Sequence, residues 1–128
     1  MTEINSKQIA LTACKALSEK RGRDIVALYV REKTALCDYF VLASASNAPQ
    51  IRAMGERVEE LIAKELGIDP TRTEGVRDGR WGVIDYGDVI VHIFNDDTRL
   101  FYHLERLWAD GENLERYNDE SGQLERAK

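Results

Sequence analysis

Two stretches of this chain repeat their apolar residues at the helical period. In the first, Ile9, Ala13 and Leu17, with Ala10 and Cys14 beside them, mark one face of a helix expected over residues 6–20. Asn5 stands at an N-cap position, Gln8 completes a capping box, and Ile4 is placed to staple onto Ile9. Lys20, Arg21 and Gly22 supply basic residues and a C-cap glycine at the other end. The second stripe is Ile51, Met54, Val58, Leu61, Ile62 and Leu66, opposite a wet side of Glu59, Glu60 and Lys64. It opens at Ser46-Asn47-Ala48-Pro49 and stops at Gly67 and Pro70.

Between and after these helices the period changes. Residues 24–30 (DIVALYV) and 39–43 (YFVLA) are apolar on consecutive positions and rich in β-branched and aromatic side chains, which predicts a long-armed hairpin joined by the polar link 31–38. Continuous apolar runs suit strands covered on both faces, hence helices above and below a sheet. Residues 71–76, 80–86 and 88–94, separated by Arg77-Asp78-Gly79 and by Gly87, predict a three-stranded meander. Asn95, Asp96 and Asp97 can then cap a third helix whose stripe is Leu100, Phe101, Leu104, Leu107 and Trp108, ending at Ala109-Asp110-Gly111. Residues 111–128 are polar and show no sustained apolar period, so they are expected to be a frayed or weakly helical, flexible tail behind one domain of residues 1–110. The predicted class is α/β: a mixed sheet of about five strands flanked by three helices, in the order α-β-β-α-β-β-β-α.

Composition narrows the function. The formal charge is -5, with six acidic and three basic side chains in residues 110–128, so the surface is unsuited to broad contact with phosphate backbones. No run approaches the ~20 apolar residues of a membrane span, and MTEINSKQIA lacks a signal peptide's apolar region. A cytoplasmic protein is expected. The two cysteines, Cys14 and Cys37, form no CxxC pair and read as reduced structural thiols, one on a helix's inner face and one in the hairpin connection.

Candidate chemistry is sparse. His92 and His103 are the only histidines and show no metal-ligand spacing; His92 shares a strand face with Ile90 and Phe94, as a core or interface histidine would, and His103 lies off its helix's apolar stripe. No local arrangement implies a nucleophilic triad. The opening at Ser44-Ala45-Ser46-Asn47 lacks the glycine and lysine of a phosphate loop. Asp85 and Asp88, flanking Gly87, have three readings: a hard-cation site, caps of the turn between two strands, or acceptors presented to a basic partner. Trp81 has two: an aromatic at the edge of the core, or an exposed anchor beside Tyr86.

The ordered set DIV at 24–26, DYFV at 38–41, Glu74-Gly75, Arg80-Trp81, Asp85-Tyr86-Gly87-Asp88, Val91-His92, Phe94 and the terminal Leu104-Glu105-x-Leu107-Trp108 resembles the ribosomal silencing factor, or Iojap-like, family over residues 7–110. The resemblance implies a nucleotidyltransferase-like fold without the catalytic motif, no enzyme activity and no cofactor or metal. It further implies binding to ribosomal protein uL-fourteen on the large subunit, steric blocking of small-subunit joining when nutrients fall, and a homodimer when free. Trp81, Asp85, Tyr86, Asp88 and His92 match the motif associated with the partner face, with little direct RNA contact. On that basis Trp81→Ala is expected to weaken binding about thirtyfold without unfolding the chain. Gly82 departs from the pattern, standing where a larger apolar residue is usual, as does Cys37 in place of alanine.

Overall fold

A computed structural model describes residues 5–79, 81–95 and 113–126. The first helix, α1, spans Ser6–Glu19, and its capping box is formed: the Gln8 amide donates to Asn5 Oδ1 and the Asn5 amide to Gln8 Oε1, both at 2.9 Å. The expected C-cap glycine is not the residue used. Lys20 is the C-cap and Arg21 takes the left-handed turn at φ 63°. The exposed carbonyls are claimed by Gln50, whose side-chain amide donates to the Lys20 and Arg21 oxygens at 3.1 and 3.0 Å. Gly22 serves packing, because a Cβ there would lie 2.7 Å from Met54 Cε. The second helix, α2, spans Ala48–Leu66 between the Asn47 cap and Gly67, which ends it at φ 70°.

Seven strands form one sheet: β1 (Arg23–Tyr29), β2 (Tyr39–Ala45), β3 (Arg72–Glu74), β4 (Trp81–Asp85), β5 (Val89–Asn95), β6 (Leu114–Asn118) and β7 (Gln123–Arg126). Their order is β3-β4-β5-β2-β1-β6-β7. The hairpin β1–β2 and the meander β3–β4–β5 are both present, and the two join through the parallel pair β2–β5, which makes the sheet mixed.

Two expectations are corrected. The sheet has seven strands rather than about five, because residues 114–126 are not a frayed or weakly helical tail: β6 pairs with β1 and β7 folds back on β6. The reason is period two in disguise. Leu114 and Tyr117 pack inward on opposite faces of the sheet, and Asn118 closes the turn by accepting the Glu120 amide at 2.9 Å, with Gly122 at φ 71°. A two-stranded edge with a wet outer side needs few apolar residues, so composition alone reads as tail. The predicted third helix at 95–110, with His103, lies outside the described residues apart from Asn95, the last residue of β5.

Both described helices pack on one face of the sheet, sharing a core with Ala27, Val41, Ala43, Ile84, Val91 and Ile93. Val26, Leu28, Phe40, Leu42 and Phe94 form a second buried layer on the other face, joined by Trp81, Ile90 and Leu114. Every residue of β2 is buried, as its unbroken apolar run requires.

Candidate functional site

The predicted site residues cluster on β4, β5 and the turn between them, and the strand register sorts them onto different faces. Trp81 stands opposite Phe94 and Val83 opposite His92, so Trp81 and His92 are diagonal neighbours on the second-layer face. The Trp81 indole Nε1 donates to His92 Nδ1 at 3.0 Å. Around them, Phe94 stacks parallel to the imidazole at 5.9 Å between centroids and Phe40 meets it edge-on at 5.4 Å. Trp81 is therefore half-buried in an aromatic cluster, the edge-of-core reading of its position.

That hydrogen bond decides the chemistry of His92. Because Nδ1 accepts, the neutral ring carries its proton on Nε2, which is buried and has no hydrogen-bond partner among the described residues. Burial pushes the pKa down to about 4, so the ring is neutral at physiological pH. A neutral, enclosed imidazole with its basic nitrogen already occupied is poorly placed to take a proton from a substrate.

Tyr86 points the other way. It is buried in the helix-side core, its hydroxyl has no partner among the described residues, and burial raises its pKa, reinforced by the Glu59 and Asp69 carboxylates. The expectation of an exposed Trp81–Tyr86 anchor is thus corrected: the two rings lie on opposite faces of the sheet. One residue past the strand end, Tyr86 falls on the apolar side of the alternation.

The carboxylates remain at the turn. Asp85 Oδ1 accepts the Gly87 amide at 2.7 Å, and Gly87 at φ 85° permits the reversal, which is the capping geometry expected of a turn aspartate. Asp88 is exposed, and its carbonyl accepts the amides of Asp38 and Tyr39 at 2.8 and 3.1 Å, tying this turn to the β1–β2 connection. Among the described residues, no group of three or more His, Cys, Asp or Glu side chains is placed to hold a metal ion.

Glycines let the β3–β4 connection press against the site. A Cβ on Gly75 would lie 2.0 Å from the Trp81 carbonyl oxygen and one on Gly79 2.2 Å from the Ala48 Cβ, both at φ 74°. At Gly82, a Cβ would approach Val76 Cγ2 at 3.0 Å, so Val76 crowds the space that a larger residue at this position would need. A cleft of about 560 Å³ beside this connection is lined by Arg52, Glu56, Glu59, Glu74, Arg77 and Asp78 among others, and none of Trp81, Asp85, Tyr86, Asp88 and His92 lines it.

Comparison with known proteins places this arrangement. The family described as "Ribosomal silencing factor during starvation" (RsfS) matches residues 3–128, so the likeness extends through the β6–β7 hairpin beyond the 7–110 span expected. Ribosomal silencing factor RsfS of Bacillus subtilis is 36% identical over 107 residues, 84% of this chain and 90% of its own length. Its counterpart from Halalkalibacterium halodurans is 32% identical over 112 residues, 88% of this chain and 95% of its own. A mouse protein named "Mitochondrial assembly of ribosomal large subunit protein 1" is 27% identical over 110 residues, 84% of this chain and 46% of its own. A crystal structure of a protein from Chromobacterium violaceum superimposes with a TM-score of 0.78 at 31% identity, covering 82% of this chain and 87% of that one. The chain belongs to the ribosomal silencing factor family.

Proposed function

We propose that this protein is a cytoplasmic, non-enzymatic repressor of translation that binds ribosomal protein uL-fourteen on the large ribosomal subunit and sterically blocks joining of the small subunit. The observation that carries the reading is family membership across nearly the whole chain, with relatives named as silencing factors. The geometry agrees with a binding surface: the Asp85–Asp88 turn is held rigidly outward while its histidine is neutral and enclosed. Asp85 and Asp88 provide charge complementarity to a basic ribosomal protein, which a chain of net charge -5 suits better than RNA phosphates. Trp81, Tyr86 and His92 hold the two strands that present this turn, bracing it from both faces of the sheet.

Occlusion asks little of the interface. About 800 Å² per partner is typical of a specific complex, roughly a tenth of the 7631 Å² surface of the chain. The remainder of the domain then stands as an obstacle on a surface that must lie flush with another subunit. The free protein is proposed to be a homodimer. A pull-down of isolated uL-fourteen tests the partner: retention that weakens with rising salt supports it, and loss of retention at low salt removes it. The name of the mouse relative favours a second reading, a large-subunit assembly factor without anti-association activity. Binding to large subunits without any effect on their joining supports that alternative.

A further inference from the structure

Of the anchor that the motif suggested, Tyr86 is buried and Trp81 half-buried, yet one large apolar side chain is largely in solvent. Leu36, in the β1–β2 connection, is 72% exposed, and it is the only large hydrophobic residue so exposed among the described residues. Its connection is no loose excursion. The Val30 carbonyl accepts the amides of Lys33 and Thr34 at 2.9 and 3.0 Å, the Val30 amide donates to the Asp38 carbonyl at 2.8 Å, and the Leu36 amide donates to Thr34 Oγ1 at 3.2 Å. Cys37, the next residue, is turned inward and buried in the second-layer core. Adjacent residues thus point in opposite directions from a pinned backbone, and the leucine is the one held in water.

Acidic residues stand nearby. Amides of Asp38 and Tyr39 bond to the Asp88 carbonyl, so Leu36 lies two residues from the Asp85–Asp88 turn across that junction. Burial pushes the Cys37 thiol up to about 12, and the Asp38, Asp85 and Asp88 carboxylates push the same way, so all three lie near Cys37, the residue next to the leucine. Arg31 approaches Asp38 at 3.9 Å, whereas Asp85 and Asp88 form no ion pair among the described residues.

Building on the reading of the chain as a large-subunit binder, we propose that Leu36 is the apolar anchor of the partner surface. It would enter a hollow on a basic protein whose lysines or arginines flank that hollow and meet Asp85 and Asp88. An exposed apolar residue ringed by charge is the pattern of an interface core with a polar rim, and a pre-organised loop loses little freedom on docking.

Leu36 carries little of the fold, so its substitution separates binding from folding. In co-sedimentation with purified large ribosomal subunits, Leu36→Ser is expected to weaken binding at least tenfold while its melting temperature stays within about 2 °C of wild type. Asp88→Asn is expected to weaken binding and flatten its salt dependence. Leu36→Ser binding within about twofold of wild type overturns the proposal. So does tighter binding of Asp88→Lys, the signature of a phosphate-backbone partner, or a Leu36→Ser that abolishes self-association in sedimentation velocity but still binds subunits. Should wild type itself fail to co-sediment, the function proposed above falls, and this anchor with it.

Discussion

His92 offers a quantitative test of the site's interior. Its pKa is pushed from the ordinary 6.5 down to about 4 by burial, so the folded chain refuses a proton that the unfolded chain accepts. As the pH falls through 6.5, the unfolded state is protonated first and stability drains away; the loss grows until about pH 4, below which both states hold the proton. With about 1.4 kcal/mol for each tenfold in proton affinity, the full loss is about 3 kcal/mol, and about 2 kcal/mol is gone by pH 5. His92→Phe keeps an aromatic ring among Phe40, Trp81 and Phe94 but cannot titrate. Removing the acceptor of the Trp81 hydrogen bond adds a cost, but it is the same at both pH values and cancels in the difference. Urea unfolding of both proteins at pH 7.5 and pH 5 should therefore show wild type losing about 2 kcal/mol more than the variant. Equal losses would mean that His92 is solvated or already charged, and the enclosed, hydrogen-bonded imidazole would have to be abandoned.

Other consequences follow from single contacts. Gly75→Ala forces a Cβ onto the Trp81 carbonyl at a left-handed φ and should destabilise the fold by about 2 kcal/mol or more in denaturant titration. Trp81→Ala empties part of the aromatic cluster and should cost about 2 to 3 kcal/mol of stability, contrary to the expectation that it would spare the fold, so its binding must be read at a temperature well below its melting point. Asn5→Ala removes the Oδ1 that accepts the Gln8 amide, leaving only the backbone half of the capping box, and should lower stability by about 1 kcal/mol without altering subunit binding.

The parts of the fold legible in sequence were those whose periodicity was long or whose caps were chemically marked. Asn5 with Gln8, Asn47 with Pro49, and Gly67 bound the two helices within a residue or so of where they lie. The unbroken apolar run at 39–43 announced a doubly covered strand, which the structure extends to Ala45. What escaped were short elements and relations between faces. The β6–β7 hairpin carries only a few inward residues among many charges, and its pairing with β1 depends on register rather than composition. At the site, the alternation of β4 was readable, but Tyr86 sits beyond the strand end, where one step decides whether a ring joins Trp81 or the opposite core. Leu36 is illegible in sequence because an isolated leucine in a polar link carries no pattern; only its exposure on a pinned loop distinguishes it.

The central claim is steric silencing, and light scattering during the joining of purified large and small ribosomal subunits tests it most directly. With this protein pre-bound to the large subunit, the rise in scattering should be suppressed in proportion to occupancy, and Leu36→Ser at the same concentration should restore it. Unimpeded joining by large subunits that demonstrably carry the protein would contradict the account.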